Sequence, residues 1–150
     1  MYIHTVAASS PACTCFLLRK LARRVTHAYD RAVAPAGLTI TQYSLLVYLS
    51  REAGVSIAAL AERMGMERTT LLRTLRPVLA AGWARYGERS PGQSAALELT
   101  AKGRARLRAA RPLWQRAEQE LGAALGAGKA GELHAALSTS LAKLDQRPAR

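Results

Sequence analysis

Residues 66–76, Met-Glu-Arg-Thr-Thr-Leu-Leu-Arg-Thr-Leu-Arg, combine two kinds of side chain in one short stretch. Arg68, Thr69, Thr70 and Arg73 fall on one side of a helix with Arg76 close by, while Leu71, Leu75 and Leu79 fall on the other. An arginine fork can take the O6 and N7 of guanine, and threonine can meet a thymine methyl or a phosphate oxygen. Such a face would also serve as ordinary solvated helix surface. The following residues tip the balance. A turn-rich stretch carrying Arg89 and Gln93 separates two short alternating segments, which is the pattern of a hairpin beside a reading helix.

The other reactive side chains are sparse. Cys13 and Cys15 are separated by one residue, a spacing at which a disulfide within the chain is strained. No histidine lies near enough to complete a zinc pattern, so no metal is expected. In an intracellular protein such cysteines ordinarily act as small buried hydrophobes. His4, His27, His134 and the scattered serines and acids form no nucleophile–base pair, and Gly122 to Gly131 is a run of helix breakers. The chain does not read as an enzyme, and no cofactor is expected.

Helices must position these groups. Leu17, Leu18, Leu21, Val25, Ala28 and Ala32 recur at helical spacing from Cys13 to Val33, and Pro35 to Gly37 closes that helix. Thr41 is expected to cap a second helix, Gln42 to Ala53. Ser56 caps a short third one, Ile57 to Met64, which Gly65 stops. The fourth starts near Glu67 and runs to Gly82, with Pro77 expected to kink or tighten it. Two strands, Trp83 to Tyr86 and Ala95 to Leu99, flank the Ser90-Pro91-Gly92 tip. Thr100 caps a long helix, and after Gly126 to Gly128 a last helix aligns Leu133, Leu137, Leu141 and Leu144.

Charge and length narrow the class. The 150 residues carry 22 Lys plus Arg against 10 Asp plus Glu, a net charge of +12, and 49% hydrophobic residues supply a core that a disordered basic tail lacks. No apolar run approaches the roughly 18 residues of a membrane span, so no membrane partner is expected. The N-terminus lacks the basic start of a signal peptide, and the chain reads as cytoplasmic. Residues 102–116 hold Lys102, Arg104, Arg106, Arg108, Arg111 and Arg116 without an acid. Part of that run is expected to flank nucleic acid and much of it to face solvent.

Taken in order, these segments resemble the MarR-type winged-helix regulators. The likeness is carried by Gly37-Leu38-Thr39-Ile40-Thr41-Gln42-Tyr43, Ile57-Ala58-Ala59-Leu60-Ala61, Arg68-Thr69-Thr70 with Leu71 and Arg73, Ala81-Gly82-Trp83, and Leu99-Thr100-Ala101-Lys102-Gly103. It spans about residues 15 to 145. The resemblance implies a mainly α fold with a small β-hairpin: a winged helix-turn-helix with N- and C-terminal dimerisation helices in one compact domain. Residues 1–36 would form the first dimerisation helix, 37–100 the DNA-binding region and 101–150 the last dimerisation helices. It implies a homodimer on double-stranded DNA, acting as a repressor of a pseudo-palindromic operator that a small-molecule effector releases. Ser56, Arg68, Thr69, Thr70, Arg73, Arg76, Arg89 and Gln93 are the expected DNA contacts. One departure stands out. Counting back from Leu99, Gln93 replaces the arginine that the family carries in the wing, and Pro91 replaces its acid.

Two inputs could release DNA. A small aromatic or anionic ligand would bind between the winged helix and the dimer helices, near Arg23, His27, Tyr29 and Tyr43. Alternatively, Cys15-Phe16-Leu17-Leu18 with Tyr29 resembles the organic-hydroperoxide-sensing members of the family, with Cys13 alongside. Ile40 stands where those members carry a second tyrosine. A helix N-terminus with Arg19 and Lys20 nearby is the setting that activates a thiol. A rival of another class is a DNA-packaging protein, for which +12 suffices and affinity is nearly blind to sequence.

Overall fold

The computed structural model describes residues 13–87 and 96–146. Helix α1 (Thr14–Val33) gives way to a 3₁₀ turn at Ala34–Ala36. The turn ends on Gly37 at φ +69°, a left-handed conformation that glycine adopts without strain. Helix α2 (Ile40–Arg51) opens on a reciprocal capping box. The Thr39 hydroxyl accepts from the Gln42 N–H at 3.2 Å, and the Gln42 side-chain oxygen accepts from the Thr39 N–H at 3.0 Å. The cap is therefore Thr39 and not Thr41, because Thr39 has a glutamine three residues on to return the bond. The Asp30 carboxylate takes the adjacent Ile40 N–H at 2.7 Å, which ties α1 to the start of α2.

Strand β1 (Val55–Ser56) leads into α3 (Ile57–Arg63), α4 (Arg68–Ala80), β2 (Ala84–Tyr86), β3 (Ala96–Leu99), α5 (Ala101–Leu125) and α6 (Lys129–Asp145). The antiparallel sheet has three strands in the order β1-β3-β2, one more than the expected hairpin. Val55 pairs with Leu97, and Arg85 with Glu98. Two residues are too few to show an alternation in sequence, and Ser56 also caps α3, its hydroxyl accepting from the Ala59 N–H at 3.1 Å. Pro77 lies inside α4, which runs on as a helix to Ala80.

One core joins the layers. Leu45, Leu46 and Leu49 of α2 meet Leu60 of α3, Leu71, Leu75 and Val78 of α4, Leu97 and Leu99 of β3, and Ala110 of α5. Each fully buried leucine contributes about 2 kcal/mol by leaving water. Burial on α1 is confined to Tyr29 and Val33 near its end. Phe16, Leu17 and Leu18 are exposed, as are Leu137, Leu141 and Leu144 on α6, a helix with no buried residue. Cys13 and Cys15 are exposed free thiols, not buried hydrophobes, because they precede the packed end of α1. No single helix among the described residues is long and apolar enough to cross a membrane.

Candidate nucleic-acid interface and effector crevice

Leu71, Leu75 and Val78 anchor α4 in the core, which turns the opposite face outward. At about 100° per residue, Thr69, Arg73 and Arg76 lie within one narrow outward sector. All three are exposed, as is Arg68 at the first turn. Thr70 departs from the expected exposed face. It is half-buried, and its main-chain carbonyl accepts from the Thr74 hydroxyl at 3.1 Å. Leu72, unlike the other leucines of α4, is exposed beside Arg73. Among the described residues, none of Arg68, Arg73 and Arg76 pairs with a carboxylate. Their forks are available to an anionic or acceptor-rich partner.

Ser56, at the cap of α3, is half-buried with its oxygen engaged at Ala59. Arg89 and Gln93 lie outside the described residues. Within the sheet, Arg85 of β2 donates to Glu98 of β3 at 2.8 Å, an exposed cross-strand pair worth well under about 1 kcal/mol.

A cavity of about 490 Å³ opens between α2 and α5, lined by Tyr43, Tyr48, Arg51, Leu107, Arg111 and Trp114 among others. The Tyr43 and Trp114 rings stack with centroids 5.8 Å apart and planes 20° from parallel. Burial raises the Tyr43 phenol above its ordinary pKa, with Arg111 opposing that shift, so the ring presents a neutral hydroxyl. The cavity thus combines flat aromatic walls with two guanidinium groups, a lining suited to a planar aromatic anion.

Of the four residues expected near an effector, Tyr43 lines this cavity. Tyr29 is buried on α1, where burial and the nearby Glu118 carboxylate raise its phenol pKa. Arg23 and His27 are exposed on α1 and are not among the lining residues. Arg51, Tyr48, Arg111 and Trp114 carry no local signature. Of these, Arg111 belongs to the basic 102–116 run.

Cys15 and Tyr29 sit on the same continuous helix, so their backbones are about 21 Å apart. A hydrogen bond between them within one chain is excluded. Of the two basic neighbours, Lys20 is placed over the Phe16 ring at 5.9 Å.

The family model described as MarR family matches residues 36–94. No curated protein sequence matches the chain significantly. Among solved structures, the Mycobacterium tuberculosis transcriptional regulator MosR is 36% identical with a TM-score of 0.75, over 91% of this chain and 99% of that one. The transcriptional repressor CouR, solved on a 23-mer DNA duplex, is 30% identical with a TM-score of 0.73, over 89% of this chain and 93% of that one. A Mycobacterium tuberculosis MarR family protein in complex with salicylic acid is 27% identical with a TM-score of 0.68, over 88% and 98%.

Proposed function

Because the chain belongs to the MarR family of transcriptional regulators, we propose that it is a homodimeric repressor whose α4 helices read a pseudo-palindromic operator in the cytoplasm. The observation that carries this reading is the outward sector of Thr69, Arg73 and Arg76, free of ion pairs among the described residues and followed by the β2–β3 hairpin. Arg68 and Ser56 are the proposed phosphate contacts, and Arg89 and Gln93, outside the described residues, are the proposed wing contacts. Residues 37–100 form the DNA-binding region. α1, α5 and α6 form the dimerisation region, in which Phe16, Leu17, Leu18, Leu137, Leu141 and Leu144 meet their counterparts in a second copy.

Selecting bound fragments from a random DNA pool tests this. A dimer recovers two inverted half-sites about 10 base pairs apart, held about 10³-fold or more above random DNA. Recovery without sequence preference, with affinity falling steeply in salt, would identify a packaging protein instead.

The α2–α5 cavity is the proposed effector site, and a planar aromatic carboxylate is the proposed ligand class. Arg111 and Arg51 would meet the carboxylate, and Tyr43 and Trp114 the ring. That a similar chain is solved with salicylic acid supports this class. A second reading, peroxide sensing through Cys15 with Cys13 nearby, is favoured by the exposure of both free thiols. DNA release by hydroperoxide that persists in Cys15→Ser would rule it out.

A further inference from the structure

Arg106 belongs to the basic run of α5, yet its guanidinium turns inward. It donates to the Ala36 main-chain carbonyl at 2.8 Å and lies 5.1 Å from the centroid of the Trp83 ring. Ala36 closes the turn between α1 and α2, next to Gly37, where a side chain would stand 3.6 Å from the same guanidinium. Trp83 lies between the end of α4 and β2 and is itself buried. One planar cation on α5 therefore touches both the link between the first two helices and the base of the wing.

Neighbouring contacts make the end of α4 part of the same joint. The Thr100 hydroxyl donates to the Gly82 carbonyl at 2.7 Å, and the Thr100 N–H donates to the Trp83 carbonyl at 3.0 Å. Gly103 packs beneath that carbonyl with no room for a side chain. α4 cannot tilt relative to α5 without breaking these bonds or lifting Arg106 from the indole. A guanidinium committed to a carbonyl and an aromatic face is not aimed at a phosphate.

We infer that Arg106 is a positioning residue for DNA reading: it locks the α1–α2 link and the wing base onto α5 and so sets the separation of the two α4 helices in the dimer. The inference rests on the reading role proposed for α4. Arg106 touches no base or phosphate in this arrangement and acts through Trp83 and Ala36.

The test uses the full chain and the operator recovered from the random pool, together with operators in which one base pair is inserted or removed between half-sites. Arg106→Lys keeps the charge and loses the planar stack, and Arg106→Met loses the hydrogen bond and the ring contact while keeping the stem. Both variants bind the operator about ten-fold more weakly, since both lose the guanidinium stack on Trp83 that holds the joint. Their salt dependence matches the wild type, and their penalty for altered spacing shrinks. In Arg106→Met, which removes the cation, a salt slope reduced by about 0.9 per subunit with the spacing penalty intact identifies a phosphate contact and overturns the inference. An unchanged spacing penalty with equal weakening on every DNA identifies a general folding role and also overturns it, as do variants indistinguishable from wild type. Where Arg106→Met loses its helical circular dichroism, Arg106→Lys decides. A wild-type chain that selects no operator overturns the reading role of α4, and this inference with it. Wild-type selectivity alongside unchanged variants overturns the positioning role alone.

Discussion

Gly103 lies directly beneath the main-chain carbonyl of Trp83, so close that a methyl group at Gly103 would overlap the oxygen. This contact seats the start of α5 against the residue where α4 hands over to the wing. Thr100 completes the seat, its hydroxyl also accepting from the Gly103 N–H at 3.0 Å. Gly103→Ala sets two effects against each other. Alanine gains about 1 kcal/mol in helix propensity, whereas overpacking against an immobile backbone atom costs about 1–3 kcal/mol or more. Net destabilisation is expected in urea unfolding, and a variant at least as stable as wild type would show that the contact yields easily.

Arg73 projects from the outward sector of α4, with no carboxylate partner among the described residues. Arg73→Ala is expected to cost about 1–3 kcal/mol on the operator and to relax preference at one or two base pairs per half-site. Competition binding against operator variants measures this. Equal losses on operator and random DNA would make Arg73 a backbone contact.

Arg111 and Trp114 line the α2–α5 cavity together. Salicylate is expected to quench tryptophan emission in the wild type, and Arg111→Gln to weaken that binding about ten-fold through loss of a charge-assisted contact. A loss of equal size in Arg24→Gln would point to net charge and not to the cavity.

Tyr29 links stability to alkaline pH. Burial first, and the Glu118 carboxylate second, hold its phenol neutral and raise its pKa above the ordinary 10.0. The unfolded chain ionises near pH ~10 while the folded chain resists. The stabilisation is therefore complete below about pH 10 and is lost as pH rises above it toward the folded value. Thermal melts of Tyr29→Phe should fall less steeply than wild type above about pH 10, and parallel curves would remove Tyr29 as the cause.

Leu141 and Leu144 on α6 are more than half exposed, as is Phe16 on α1. Leaving such side chains in water forgoes about 1.5–3 kcal/mol each, which a second copy would recover. Removing residues 127–150 is expected to yield monomers by sedimentation, and Leu141→Glu to shift the equilibrium the same way. A well-folded truncated dimer would contradict the proposed assembly.

Much of the architecture is legible in the residues themselves. Leu71, Leu75 and Leu79 announce which side of α4 is inward, and therefore that Thr69 and Arg73 face out, because helical periodicity needs only neighbours within two turns. Thr100 reads correctly as a cap for the same reason. The cap at Thr39 in place of Thr41 is also a local matter, since the glutamine that answers Thr39 stands three residues on. β1 escapes notice because a two-residue strand exists only through its pairing with β3.

What the sequence determined by itself is thus the order of the helices, the outward face of α4 and the family to which they belong. Only the tertiary structure decided which cations of the 102–116 run serve the surface. Arg106 turns inward to a carbonyl 70 residues away, and Arg111 joins a cavity with Tyr43. Periodicity records what a side chain needs from its own helix. The partners of Arg106, Gly103 and Trp114 are brought to them by packing of the common core, and such long-range contacts leave no local spacing to read.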